Sequence, residues 1–147
     1  MQVELLTYCD AATDYEGRLN ILGATDRFVA PYLPFRQPNC AVALRLRATR
    51  GEEGDHVVHI ALVDSDRRTQ MNVNGEISFR LPADVPHGAV QMVVNVQGLD
   101  FLVVGEYTLI VEVDGRLVAR QPLTVTVRQD ELSEFVPTPS PTMEGDE

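Results

Sequence analysis

Leu99 to Val127 read LDFLVVGEYTLIVEVDGRLVARQPLTVTV. Two long runs of alternating aliphatic and polar residues flank Asp114-Gly115, the pattern of an antiparallel β-hairpin. A two-residue turn at Asp114-Gly115 would set Val111 opposite Val118 and Leu109 opposite Arg120, so an apolar row would meet an Arg-bearing one. A three-residue loop of Val113, Asp114 and Gly115 shifts the register by one and reverses the second strand's faces. Tyr107, Leu109 and Val111 then share a face with Leu117, Ala119, Leu123, Val125 and Val127. On the other face Glu112 stands opposite Arg116 and Thr108 opposite Arg120. Like meets like, which predicts the three-residue loop with Gly115 as the left-handed residue of a G1 bulge. Burial of the aliphatic row, about 1.5–3 kcal/mol per large side chain, outweighs the exposed Glu112–Arg116 pair at about 0.2–1 kcal/mol.

The same period of two recurs upstream. From Cys40, the residues Val42, Leu44, Leu46 and Ala48 point inward while Ala43, Arg45, Arg47 and Thr49 point outward. HVVHIALV (56–63) is apolar on both faces, as in a strand covered on both sides. Ile77, Phe79 and Leu81 alternate with polar residues, and so do Val90, Met92, Val94 and Val96. Near the start, Val3, Leu5, Thr7 and Cys9 take one face and Leu6 and Tyr8 the other; AATDYEG (11–17) carries turn chemistry, and a second strand opens at Gly17. Gly23 interrupts that strand, and 26–30 continue as a short one. APYLPFRQPN (30–39) reads as a Pro-broken crossing with Tyr32, Leu33 and Phe35 laid over the core as a lid.

No window shows sustained helical spacing, so the fold class is all-β: an antiparallel sandwich of eight or nine strands with Greek-key connections, over residues 1–128. The Pro-rich links favour an open sandwich over a closed barrel. The remaining segment, 129–147, holds six acidic residues, no basic one and Pro137, Pro139 and Pro141. That composition predicts a disordered tail, with Leu132, Phe135 and Val136 its only apolar cluster.

At 147 residues the chain is long enough to bury a core without disulfides or metal. A formal charge of −10 argues against nucleic acid and anionic membrane as partners. All twelve basic residues are Arg, so strand edges lack the Lys that commonly guards them. The N-terminal MQVELLTYCD has no basic segment followed by an apolar run, so no signal peptide is expected, and no stretch has the length of a membrane span. Cys9 and Cys40 read as small buried hydrophobes, consistent with a cytoplasmic location.

GRLNILGATDRF (17–28), followed by prolines at 31 and 34, and GEYTLIVEVDGRLVARQPLTV (105–125) resemble the front and rear signatures of a family of small uncharacterised bacterial β-sandwich proteins. VDSDRR (63–68) occupies the place of a V-D-x-D-G hairpin, with Arg67 where a turn glycine is expected. The resemblance covers residues 2–128. It implies an immunoglobulin-like sandwich and, the family being a domain of unknown function, supplies no site residue.

Residues that carry chemistry are scattered. His56 and His59 lie three apart on a strand and leave opposite faces, so they cannot share one metal. Asp64 and Asp66, with Glu52, Glu53 and Asp55, have the residue types of a two-loop calcium site, yet a D-x-D turn more often caps its own amides. No nucleophile elbow, phosphate loop or dinucleotide fingerprint occurs. The expectation is therefore a non-enzymatic chain without cofactor or metal: an interaction or structural module with a protein partner or a second copy of itself. Arg45, Arg47 and His59, on strands taken to be neighbours, form the candidate interaction face. The alternative is a small-ligand or carbohydrate-binding sandwich using end loops around Tyr15, Tyr32, Asp64, Asp66 and Arg67.

Overall fold

The computed structural model describes residues 1–129; the tail segment 130–147, with its expected disorder and its apolar cluster, lies outside them. Ten strands form: β1 (Gln2–Cys9), β2 (Ala11–Tyr15), β3 (Arg18–Leu22), β4 (Arg27–Ala30), β5 (Phe35–Thr49), β6 (Gly54–Val63), β7 (Thr69–Phe79), β8 (His87–Phe101), β9 (Gly105–Val113) and β10 (Arg116–Val127). Among the described residues, apart from one 3₁₀ turn at Arg50–Glu52, the regular structure is all strand.

Two sheets face each other, β1-β5-β8 and β4-β10-β9-β6-β7, and β2-β3 make a separate hairpin. The first strand's line changes sheets: β1 runs antiparallel to β5, and β4 runs parallel to β10. Together with the β9–β6 pairing between two hairpins, this is Greek-key, immunoglobulin-like wiring. The core lies between the layers. Val42, Leu44 and Leu46 of one sheet pack against Ile60, Leu62, Leu109, Val111 and Val125 of the other. An aromatic group closes one end, with Phe28 stacked on Phe101 at 4.3 Å between ring centres and Tyr8 edge-on to both.

The rear hairpin reaches the expected face pairing by a different device. Asp114 and Gly115 both have positive φ, 52° and 82°, and make a two-residue type I′ turn with Arg116 opposite Val113. The one-residue shift occurs inside β10, as a bulge between Leu117 and Ala119. Beyond it Ala119 faces Val111, Gln121 faces Leu109 and Leu123 faces Tyr107, so odd residues share the inner row. Three expectations are thereby corrected. Glu112 lies opposite Leu117, not Arg116; Thr108 lies opposite Pro122, not Arg120; and Leu117, on the turn side of the bulge, is 48% exposed.

The second of these corrections, Pro122 opposite Thr108, has a backbone logic. Thr124 and Arg128 donate their amides toward Asp26 and Ala30 on the β4 side (2.9 and 2.8 Å). By alternation the nitrogen of Pro122 points the same way, at a stretch of edge that β4 is too short to cover. A missing donor there costs no ladder bond and blunts the edge.

Residues 11–15 are a strand, not a turn; the turn is Glu16-Gly17, again with both φ positive. The β2-β3 hairpin folds over the outer face of the three-stranded sheet, where Ala12, Leu19 and Ile21 cover Cys9, Ala41 and Ala43. Ala43 was expected to face solvent and is wholly buried, because small residues on β5 let the hairpin approach closely. Among the described residues the three-stranded sheet thus has a covered outer face and the five-stranded sheet a bare one.

Candidate functional site

The expected cationic face is not assembled. Arg45 and Arg47 lie on β5 in the three-stranded sheet and His59 on β6 in the five-stranded one. Each points away from the core, so the sandwich stands between them. The alternation placed all three outward correctly, but it carried no information on which strands are neighbours. The two arginines share one carboxylate: Arg45 Nε donates to Glu4 Oε1 at 2.7 Å and Arg47 Nε to Glu4 Oε2. Those two guanidinium donors hold Glu4 below the usual carboxylate range. Arg45 also donates to Gln91 Oε1 (2.7 Å), whose amide reaches Asp14 on the covering hairpin (3.1 Å). Arg47 meets His87 Nδ1 at 2.9 Å. His59 contacts Asn72 and Glu112 on its flanking strands.

The five loop candidates are also dispersed. Tyr15 ends β2 above the Arg45–Gln91 part of the sheet, whereas Tyr32 sits in the crossing at the other end, edge-on to Phe35 at 5.6 Å. Both are largely exposed. Asp64, Asp66 and Arg67 form the β6–β7 turn. Asp64 points inward with a fully covered side chain: Oδ1 accepts the amides of Asp66 (2.8 Å) and Arg68 (2.9 Å), and Oδ2 accepts Gln70 Nε2 (2.9 Å). Burial pushes its acidity one way, but the donors of Arg68, Asp66 and Gln70 outweigh it and hold the carboxyl below its ordinary value. Its lone pairs are thus committed to the turn. Arg67 adopts φ 66°, the left-handed conformation that the glycine of a V-D-x-D-G hairpin supplies without strain. Among the described residues no group of three or more His, Cys, Asp or Glu is placed to hold a metal.

Cys9 faces the hairpin layer and Cys40 the main core, so the sheet separates the two thiols. Burial raises both above the ordinary thiol range. Neither has the exposed, electropositive setting of a reactive cysteine.

A site the sequence reading missed joins the 3₁₀ turn to the rear hairpin. His56 Nδ1 lies 2.6 Å from Asp114 Oδ2, and its Nε2 lies 2.7 Å from the carbonyl of Glu52. Asp114 also accepts the Val57 amide (2.9 Å) and returns its own amide to Val57 O (2.8 Å). Beside this group opens a cleft of about 330 Å³, lined by Glu52, His56, Val113, Asp114, Arg116 and Val118. A second cleft of about 340 Å³ lies where β10 outruns β4, with Thr7, Thr25, Asp26 and Gln121 around a floor that includes Leu109 and Leu123. None of the five loop candidates lines either cleft. Sequence could have flagged only the residue types; the β6–β9 pairing that brings His56 to Asp114 spans more than fifty positions.

Residues 4–126 match the model of a Family of unknown function (DUF6941). The chain belongs to that family. The resemblance carried by its front and rear motifs is thereby confirmed, and it covers the sandwich. No curated protein matches the chain. Among solved structures it is similar to a glycosyl hydrolase family 2 member from Bacteroides cellulosilyticus DSM 14838, at 12% identity and a TM-score of 0.41 over 69% of this chain. The chain spans 14% of that protein's length. It is also similar to an immunoglobulin-like protein from Pseudomonas aeruginosa, at 16% identity and a TM-score of 0.32, covering 84% of this chain and 94% of that one. Among the described residues no helix is long and apolar enough to cross a membrane.

Proposed function

We propose that this member of the family is a non-catalytic β-sandwich of the cytoplasm that works by binding protein, first of all a second copy of itself. The observation that carries this reading is how its reactive side chains are used. Asp64 holds a turn, Asp114 and His56 hold a hairpin to a 3₁₀ turn, and Glu4 holds two arginines. General acid–base chemistry needs such groups to face a substrate, and here they face one another. Among the described residues, what stays open is sheet: the outer face of β4-β10-β9-β6-β7 and its edges. Two unpaired cysteines buried on opposite sides of one sheet support a reducing compartment. The acidic balance supports a protein partner over nucleic acid or anionic membrane.

A small-ligand or carbohydrate-binding role is the second reading, favoured by two clefts of about 330–340 Å³, within the range of ligand sites. Light scattering on the full chain separates the two. A mass of two chains or more, with no melting shift across a panel of sugars, metals and small anions, is the expected result. A monomer at high concentration whose melting temperature rises with one such ligand would replace the first reading by the second.

A further inference from the structure

We propose that β7 is the edge through which two copies pair, antiparallel about a two-fold axis, joining their five-stranded sheets into one continuous sheet. This rests on the reading of the protein as a self-associating module and names the surface that module uses.

Strand edges invite pairing, and proteins guard them with short length, charge, proline or bulges. Among the described residues the other edges carry such guards. β4 is four residues long. The part of β10 that β4 leaves open holds Arg116, Arg120 and Pro122. β1 is irregular between Val3 and Leu5, beside the Glu4–Arg45–Arg47 cluster. β8 carries the left-handed Gly98 (φ 86°) and lies partly under the β2-β3 hairpin, against which Val93 packs and whose Asp14 accepts from Gln91 at 3.1 Å. β7 differs: its eleven residues, TQMNVNGEISF, include one charged side chain, Glu76, and no proline.

Backbone phase shows which groups that edge offers. Asp114 and Val57 exchange contacts, so the peptide groups of Val57 point toward β9. Alternation then turns Val58, Ile60 and Leu62 toward β7, where they meet Gly75, Val73 and Met71. The amides and carbonyls of Asn72, Asn74, Glu76 and Ser78 therefore point outward at the open edge. The irregularity in β7 pairing falls at its start, opposite Leu62/Val63, which leaves Met71–Phe79 as an uninterrupted run with Gly75 at its centre.

A two-fold axis at Gly75 sets Asn74 of each copy opposite Glu76 of the other and Asn72 opposite Ser78. Both are hydrogen-bonded pairs, and each joins a neutral side chain to a neutral or acidic one. Val73 meets Ile77 on the core side. The glycines face each other as a non-hydrogen-bonded pair, the spacing at which Cα atoms come closest, about 4.5 Å. A register centred on Glu76 would instead oppose the two carboxylates, and one centred on Asn74 would oppose Arg68 and Arg80.

The test is light scattering on the full chain and three variants at Asn74, with melting as the check on folding. Asn74→Pro removes an amide that points away from β6, so a folded monomer is expected. Asn74→Glu leaves the backbone intact but sets like charges opposite each other twice, and should weaken association about tenfold. Asn74→Arg sets opposite charges there and should retain the dimer. If the parent chain is a dimer that Asn74→Pro and Asn74→Glu leave unchanged, the β7 assignment fails while the self-association reading stands. A monomeric parent chain overturns both.

Discussion

His56 Nδ1 lies 2.6 Å from Asp114 Oδ2, and the opposite ring nitrogen lies 2.7 Å from the Glu52 carbonyl. Neither oxygen can donate a proton, so both contacts are hydrogen bonds only when both ring nitrogens carry one. The bound form is the imidazolium. It ties the 3₁₀ turn before β6 to the turn between β9 and β10, two segments that share no strand ladder.

This pair makes stability depend on pH. The Asp114 carboxylate, then the Glu52 carbonyl, raise the His56 pKa above its ordinary 6.5 against the effect of burial. The His56 ring, then the Val57 amide, lower that of Asp114 below 3.8. The histidine's contribution is fully present below the unfolded value and is lost as pH rises through the raised one; the aspartate's is present above its unfolded value and is lost as pH falls through the lowered one. The melting advantage of the parent over His56→Gln should therefore be greatest between about pH 4 and 6.5. A proton NMR titration of His56 should show a midpoint above 6.5 that Asp114→Asn brings down. A midpoint at or below the ordinary value would refute the geometry.

Asp64 is the buried pin of the β6–β7 turn. Asp64→Ala leaves the amides of Asp66 and Arg68 and the Gln70 side chain without their acceptor. Chemical denaturation should show a loss of roughly 2–3 kcal/mol. A loss under half of that would mean that water replaces the carboxylate and the turn holds itself.

Arg67→Gly should move stability the other way. The left-handed conformation costs a side chain about 1–2 kcal/mol, and glycine's greater freedom in the unfolded chain returns about 0.5–1 of it. A net gain of about 0.5–1 kcal/mol is expected, seen as a rise of ~2–4 °C in Tm. An unchanged or lower Tm would show that the Arg67 side chain contributes contacts that offset its strain.

Tyr107 and Tyr8 separate two uses of a buried phenol. Tyr107 Oη donates to the Val103 carbonyl at 2.7 Å, bracing the β8–β9 connection in the manner of the tyrosine corner of immunoglobulin-like domains. Gly105, with φ 130°, lets β9 begin against Ser65, whose side chain would lie 2.7 Å from any Cβ placed there. Among the described residues the buried Tyr8 hydroxyl finds no hydrogen-bond partner. Tyr107→Phe should cost about 1–2 kcal/mol and Tyr8→Phe almost nothing, or should stabilise slightly. Equal losses would show that Tyr8 has acquired a partner, such as a buried water.

Much of the fold was legible because it is local. Val42, Leu44 and Leu46 point inward for the same reason as Leu109 and Val111: successive side chains of a strand leave opposite faces. The Asp114-Gly115 pair announced a turn. The site was not legible in that way. Arg45, Arg47 and His59 were each placed outward correctly, yet His59 belongs to the other sheet. Asp64 looked like a loop ligand, but its carboxylate is the inside of its own turn.

The order of residues by itself determined that the sandwich is built of strands, which side chains row together and where it turns, since period and turn chemistry act within a few positions. Tertiary structure alone decided that the register shift occurs at the bulge beside Val118, that a hairpin covers Ala43, and that His56 sits between Asp114 and Glu52. Each of those depends on which distant strands become neighbours. That choice is made by packing of the whole core against the entropy of closing long loops, and no local pattern encodes it.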